Sequence, residues 1–496
     1  MTPPPRPPLT LTPRERTALL VVVALLVAVR LATLGWYPLM DSTESRYGEI
    51  ARKMLETGNW VMPQYDYGVP FWGKPPLSIW LSAAAMATFG VNEFAVRMPS
   101  LLLAVGCGAL VGALARRRGG RDAALWAVAF FATTGLTFVA AGAVMTDAAL
   151  LFGTALSMVA FWLALDTAPP VARGWRYAFF LGVAIGLMAK GPIAVVLTAL
   201  PIAGWTLWTN RWRDVWTRLP WLAGTLAVAA LVLPWYGLAE RAAPGFLQYF
   251  LVGEHWKRFV EPGWQGDLYG AAHARPRGTI WLYGLIAALP WSIPALAWIG
   301  RAAWKRPADL RALVTDRWLS YLTAWTLAPL AFFTLSGNVL TTYVWPAMPA
   351  LALLLATLWL PGAQDARRFR PDVRHVVVTG AVLCVLLVGG IAWEHRRFER
   401  DLSSKALVRT YESARGAAPG RLLYLGTRPY SAEFYSGGRA VRVDDLAALA
   451  PYLLDATPDF VVVPSRDVDA LPAAVRMRLA PLGEFGEYQL FRESMG

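Results

Sequence analysis

Apolar stretches of about 18–22 residues, each close to the length that a bilayer demands of a helix, recur along most of the chain. They cover residues 17–36, 97–115, 122–142, 147–166, 174–190, 191–209, 219–238, 278–300, 318–336, 339–360 and 375–393. Apolar and polar positions do not alternate inside them, so a membrane β-barrel is set aside. The pattern predicts a mainly α, polytopic membrane protein with about eleven spans. One stretch is ambiguous: 75–90, "PPLSIWLSAAAMATFG", is apolar but slightly short, and it opens on two prolines.

Loop charge decides it. If 75–90 crosses the membrane, the cluster "ARRRGGRD" (115–122) falls outside, against the positive-inside rule; if it lies in the interface, that cluster falls inside. The second choice also puts "DTAPPVARGWR", "TNRWRDVWTR", "GRAAWKRPADLRALVTDR" and "GAQDARRFRPDVRH" on the cytoplasmic side. Residues 75–90 are therefore expected to form a surface or re-entrant helix. The N-terminus is then inside, with a Pro-rich, basic tail (1–16), and the C-terminus outside. Composition agrees with a membrane protein: 56% of the 496 residues are hydrophobic and 16% are charged, against about 25% charged in soluble domains. The net charge of +14 does not point to nucleic acid, because the Arg and Lys concentrate in short loops between apolar stretches. Cys107 and Cys384 each lie in an apolar stretch without a partner at metal-binding or redox spacing, and read as core residues.

From about residue 395 the pattern changes. "RLLYLGTRPYSAEFYSGGRAVRV" and "DFVVVPS" read as short strands with turns and "LAALAPYLLDA" as a helix, which predicts a small α/β domain over 395–496 on the outer side. The same face receives the long first outer loop (37–96), the 143–147 turn, the Lys190-Gly191-Pro192 joint, the 239–277 loop and the "SGNVLTTY" joint. Polar residues that are sparse elsewhere gather there.

In "MDSTESRYGEIARKML" (40–55), Tyr47, Ile50, Met54 and Leu55 follow helical spacing, with Glu49, Arg52, Lys53 and Glu56 opposite. That predicts an amphipathic helix lying on the membrane. Asp41 fits either a cap for that helix or a site carboxylate, and Glu44 either a first-turn dipole partner or a site residue. Lys74, alone before Pro-Pro, either reaches headgroups or meets an anion. Asp147 opens an apolar helix and suits an N-cap or an intramembrane site acid. Lys190, at a joint, either pairs with a carboxylate such as Asp147 or meets a phosphate. Arg258 in "GEHWKRF" has a fork suited to two phosphate oxygens, or is structural. Tyr343 in "LTTYVWP" suits either a pocket wall or the interfacial aromatic belt. His255 and His273 share a loop with Glu254, but no third or fourth metal ligand stands at convincing spacing.

The run "DSTESRYGEIARKMLETGNWVMPQYDYGVPFWGKPPLSIWLSAAAMATFGVNEFAVRMPS" resembles the first outer loop of the bacterial GT-C glycosyltransferases related to protein O-mannosyltransferases and to the aminoarabinose transferase of lipid A. "TDAALLF", "AKGPIAV", "PWYGLAE", "GEHWKRF" and "SGNVLTTYVWPAMP" continue the likeness in the family's order. Thr43 stands where the loop often has a second acid, Asn338 where many relatives carry Lys, and Gly73 where some aminoarabinose transferases have Glu before the lysine. The resemblance implies a GT-C helical bundle of about 11–13 helices with outer amphipathic helices. It implies an inverting enzyme that moves a sugar from a polyprenyl-phosphate donor to a lipid A-like glycolipid, another envelope glycan or a protein, on the periplasmic side of the inner membrane. It further implies catalytic carboxylates among Asp41, Glu44 and Asp147, phosphate contacts from Lys74, Lys190 and Arg258, and a pocket that includes Arg46, Tyr47, His255 and Tyr343. No cofactor or metal is expected, since phosphate leaves without a general acid. A transporter or flippase of lipid-linked sugars is the alternative; it would place charges around a midplane cavity between repeated halves, and no halves repeat here.

Overall fold

The computed structural model describes residues 11–167, 172–359, 372–417, 419–455 and 457–494. Its first helix, Pro13–Thr33, starts before the apolar stretch because Thr12 and Glu15 close a capping box and Arg16 pairs with Asp122 at 2.7 Å. Residues 13–16, expected in the tail, are thus helical.

Among the described residues, six helices are long and apolar enough to cross a bilayer, or seven if one bent pair counts as a single span. The difference from the expected eleven has local causes. Ile193–Trp208 has 16 residues, and Ala172–Lys190 carries charged residues at both ends. The stretch at 278–300 is two helices, Thr279–Ala287 and Ser292–Lys305, bent by 112°. The stretch at 122–142 is the end of the Glu93–Ala132 helix, which breaks at Gly120 (φ 78°), followed by a short helix, Gly135–Ala140. Leu77–Phe89 has 13 residues, about 20 Å at helical rise, short of the roughly 30 Å hydrocarbon core. It is thus too short to cross such a core on its own. The basic loop at 362–375 falls almost wholly outside the described residues, as does part of that at 166–176.

Asp147–Asp166 is the central helix, with 94% of its apolar window buried. It lies close against Ala172–Lys190 because glycines meet there: a Cβ on Gly153 would come within 2.8 Å of the Gly182 carbonyl oxygen. Ser157 Oγ donates to the Phe179 carbonyl at 3.0 Å in the same contact. At its far end Phe161, Trp162, Trp205, Trp318 and Tyr321 form an aromatic core, and the Tyr321 hydroxyl donates to the Met158 carbonyl at 2.6 Å.

The last described helix of the bundle, Val373–Arg400, leads into the α/β domain. Its five-stranded sheet has the order Ala440–Val443, Leu422–Leu425, Phe460–Pro464, Tyr488–Glu493, Leu479–Phe485. The first three strands are parallel, and the last two form an antiparallel hairpin that the sequence reading missed. Alternation sorts the core: Leu422, Tyr424, Phe460 and Val462 face the Lys405–Arg415 and Tyr430–Ser436 helices, while Leu423, Val461 and Val463 face the Leu446–Leu453 helix.

This domain corrects the reading of the amphipathic helix. Thr43–Thr57 forms, but neither of its faces is left to a membrane or to solvent as expected: the apolar Tyr47, Ile50 and Met54 and the charged Glu49, Arg52 and Lys53 are all buried in the protein. Lys53 Nζ lies 2.7 Å from Glu433, and Arg52 forks onto Glu49 at 2.7 Å. Arg428 joins Asp66 at 2.9 Å and Glu433 at 3.0 Å. Charged faces on both partners turn inward because each supplies the other's counter-ions. Burial and the nearby Glu49 push the Glu433 carboxyl up to about 7. Removing Lys53 leaves two buried carboxylates short of charge, so Lys53→Met is expected to cost about 3–5 kcal/mol. Limited proteolysis and thermal unfolding in detergent check this: the variant is cut earlier at the domain junction and melts lower.

Candidate active site

The Thr43–Thr57 helix, the loop before Leu77, the start of Asp147–Asp166, the Lys190 joint and the 248–260 segment meet at one end of the bundle. They enclose a cavity of about 570 Å³. One wall is apolar, with Leu150, Ile193, Val196, Leu197, Phe259 and Phe332; the other presents Arg46, Lys74, Asp147, Lys190, Glu254 and Arg258.

Each charged side chain has a structural reason for its place. Gly191 adopts φ 77°, and a Cβ there would meet the Phe250 and His255 rings; this lets the chain turn sharply after Lys190. Lys190 Nζ sits 2.7 Å from Asp147 and 4.7 Å from the centre of the Tyr343 ring. Asp147 is the first residue of its helix, and the Thr146 side chain makes no capping bond. Lys74 Nζ lies 2.6 Å from Glu254, and Arg258 Nη1 lies 3.2 Å from Glu254 and 2.9 Å from Asp267. Arg258 follows Glu254 by one turn of the Gln248–Lys257 π-helix and its short continuation. Burial alone would raise the Glu254 carboxyl, but the Lys74 and Arg258 charges outweigh it and bring it down to about 2. Arg46 donates to the Tyr269 carbonyl, and its Nε has no partner; among the described residues no carboxylate pairs with it.

His255 is held between two carbonyls, Nδ1 at 2.7 Å from Phe250 and Nε2 at 3.0 Å from Lys190. Burial lowers its pKa below the ordinary value. It thus ties the π-helix to the Lys190 joint and lines the cavity. Asn338 also has a holding role: its Nδ2 donates to the carbonyls of Arg258 (2.6 Å) and Glu261 (2.7 Å), and its Oδ1 accepts from the Gly263 N–H (2.9 Å).

Of the carboxylates expected to be catalytic, the cavity receives Asp147 but neither Asp41 nor Glu44. Asp41 accepts from Ser45 Oγ at 2.6 Å and from the Ser431 N–H at 3.0 Å, with the Ser431 hydroxyl donating to its other oxygen. Desolvation in that contact raises its pKa. Glu44 accepts from Arg97 at 2.7 Å and from the Val144 N–H at 3.0 Å. Both face contacts that hold the fold, one toward the α/β domain and one toward the turn before Asp147. Lys74, Lys190 and Arg258, the expected phosphate contacts, do converge, and Arg46, Tyr47, His255 and Tyr343 line the cavity with them. The sequence reading missed Glu254 as a site carboxylate, although its four-residue spacing from Arg258 was legible; Thr43 and His273, noted there without a pocket role, also line the cavity, as does Ser336, which gave no signal.

The model of the dolichyl-phosphate-mannose-protein mannosyltransferase family matches residues 16–250. Undecaprenyl phosphate-alpha-4-amino-4-deoxy-L-arabinose arabinosyl transferase 2 of Pseudomonas fluorescens (strain Pf0-1) is 33% identical over 410 residues, which is 79% of this chain and 69% of the relative. The chain belongs to the GT-C glycosyltransferase family of these enzymes. Transferase 1 of the same strain is 35% identical over 387 residues, 75% of this chain and 63% of the relative, and the transferase of Pseudomonas paraeruginosa (strain DSM 24068 / PA7) is 34% identical, with 58% of its length covered. This GT-C chain therefore spans about three fifths to two thirds of these relatives. Its fold is that of ArnT from Cupriavidus metallidurans bound to undecaprenyl phosphate: TM-score 0.74 at 19% identity, over 96% of this chain and 98% of that one. The oligosaccharyltransferase AglB from Archaeoglobus fulgidus shares the fold more distantly, at TM-score 0.52 and 14% identity, over 92% of this chain and 70% of that one. The transporter alternative has no support in these GT-C relatives, and the charged cavity lies at one end of the bundle rather than between repeated halves.

The low pKa of Glu254 has a stability consequence whose sign is fixed. A carboxyl depressed from its ordinary 4.5 to about 2 contributes about 3 kcal/mol in full above pH 4.5, and loses it as pH falls through 2. Wild type is therefore expected to melt above Glu254→Gln by a constant interval from pH 7 to pH 5. That interval narrows progressively below about pH 4; thermal unfolding of both proteins across this range checks it.

Proposed function

We propose that the chain is an inverting glycosyltransferase, taking a sugar from a polyprenyl-phosphate donor and passing it to a cell-envelope acceptor at the periplasmic face of the bacterial inner membrane. One observation carries the reading: Lys74 and Arg258, from segments distant in the chain, close on the same carboxylate beside an apolar wall. Two cations next to a greasy surface suit a lipid-linked phosphate. The relatives named for undecaprenyl phosphate-alpha-4-amino-4-deoxy-L-arabinose make that lipid the first donor to test.

In the proposed reaction the acceptor oxygen attacks C1 of the sugar opposite the phosphate. The C1–O bond breaks with its electron pair going to phosphate, which needs no general acid because it is a weak base. Lys74 and Arg258 then hold a group whose negative charge grows as the bond breaks, which is where their stabilisation is largest. Asp147, aimed by its 2.7 Å pair with Lys190, faces the sugar; it supports positive charge at C1 and takes the proton of a hydroxyl acceptor. A phosphate acceptor brings no such proton, and Arg46, with no carboxylate partner, is suited to hold it. No metal or cofactor enters this scheme.

Transfer from defined polyprenyl-phosphate sugars to envelope lipids by the purified protein tests the reading. Lys74→Ala and Arg258→Ala are each expected to lower kcat/KM about 100-fold or more, as loss of one preorganised donor does. Asp147→Asn is expected to lower kcat by about 100-fold or more with donor binding retained. Product with the same anomeric configuration as the donor, or full activity in all three variants, would contradict it.

A further inference from the structure

The two cations assigned to the lipid phosphate, Lys74 and Arg258, are already occupied. Glu254, 8% exposed, lies between Lys74 at 2.6 Å and Arg258 at 3.2 Å, and the Tyr249 hydroxyl donates to it at 3.3 Å. Its carboxylate therefore stands where an incoming phosphate must make its own contacts. The usual explanation, that buried cations need counter-ions, accounts for an acid nearby. It does not account for one acid engaging both phosphate-binding side chains at once, when Asp267 at 2.9 Å is also available to Arg258 and Asp147 satisfies Lys190.

Resting on the transferase reading above, we propose that Glu254 is a positioning residue that competes with the lipid phosphate for Lys74 and Arg258 and so releases the spent carrier. The donor is a phosphodiester with one negative charge. When the C1–O bond breaks, the electron pair passes to the phosphate, which leaves as a monoester approaching two charges. Lys74 and Arg258 favour that product over the donor, the right bias for the transition state. The same bias traps the carrier afterwards. A carboxylate within contact distance of both cations offers them a replacement partner, so the phosphate departs without leaving two buried charges unpaired. Tyr249 keeps Glu254 in reach, and the low pKa of Glu254 keeps it ionised throughout the physiological range.

The test is equilibrium binding of undecaprenyl phosphate, without sugar, to the full chain in detergent. Glu254→Gln, nearly isosteric but uncharged, is expected to bind it at least 10-fold more tightly than wild type, and the undecaprenyl phosphate concentration that halves sugar transfer falls by the same factor. Glu254→Asp keeps the charge but withdraws it by one methylene; it is expected to tighten binding by about threefold and keeps the test decisive if the glutamine variant does not fold. A merely structural Glu254 would weaken binding when replaced. Unchanged or weaker binding by the folded variants, with wild type binding normally, overturns this inference alone. No binding by wild type or variants overturns the lipid-phosphate reading and this inference with it.

Discussion

The pair of buried Arg97 and partly buried Glu44 holds together the parts from which the cavity is built. Arg97 donates to the carbonyls of Leu34, Tyr37 and Pro38 at 2.7–2.8 Å and stacks over the Tyr37 ring at 3.7 Å, which fixes the chain as it leaves the first helix. Its remaining bonds go to Glu44 at the start of Thr43–Thr57, and Glu44 accepts from the Val144 N–H, three residues before Asp147. Three segments distant in sequence are thus referenced to one guanidinium. The turn is gripped from a second side: Arg30 donates to the Val139 carbonyl at 2.9 Å and Tyr37 to that of Gly142 at 3.1 Å. Gly142 permits this, since a Cβ there would collide with the Arg30 guanidinium.

A low-dielectric surrounding makes such arrangements nearly compulsory, because an unpaired charge costs several kcal/mol and a paired one much less. The cavity obeys this rule with Lys190 on Asp147 and with Lys74 and Arg258 on Glu254. Arg46, which donates to the Tyr269 carbonyl but has no carboxylate partner among the described residues, is suited to meet an arriving anion. The α/β domain follows the same logic from outside: Lys53, Glu433 and Arg428 close its contact, while Asp41 and Ser431 lock the start of the motif helix. Lys405 and the Tyr435 hydroxyl both reach Glu93, tying the domain to the head of the second long helix.

Much of this was legible in the sequence where one residue type in one setting leaves few options. Apolar length located the helices, and the motif residues pointed to Lys74, Asp147, Lys190 and Arg258, which line one cavity. What failed depended on partners distant in the chain. The charged face of Thr43–Thr57 looked like a solvated one until Glu433 and Arg428 were brought to it. Asp41 and Glu44 looked like site acids because nothing local reveals Ser431 or Val144 as their partners. Nothing local announces that Asn338 holds three backbone groups of the 258–263 segment. Composition also does not register the 112° bend between the Thr279–Ala287 and Ser292–Lys305 helices.

The central claim is that a lipid phosphate sits between Lys74 and Arg258, beside the Asp147–Lys190 pair. The most direct measurement is an electron cryomicroscopy structure of the full chain saturated with undecaprenyl phosphate. The account predicts phosphate density within about 4 Å of both Lys74 Nζ and the Arg258 guanidinium, with Glu254 displaced from Lys74 and the lipid chain along the Ile193, Val196 and Leu197 wall. Phosphate bound elsewhere, such as at the basic loops of the opposite end, with Lys74 still on Glu254, would contradict it.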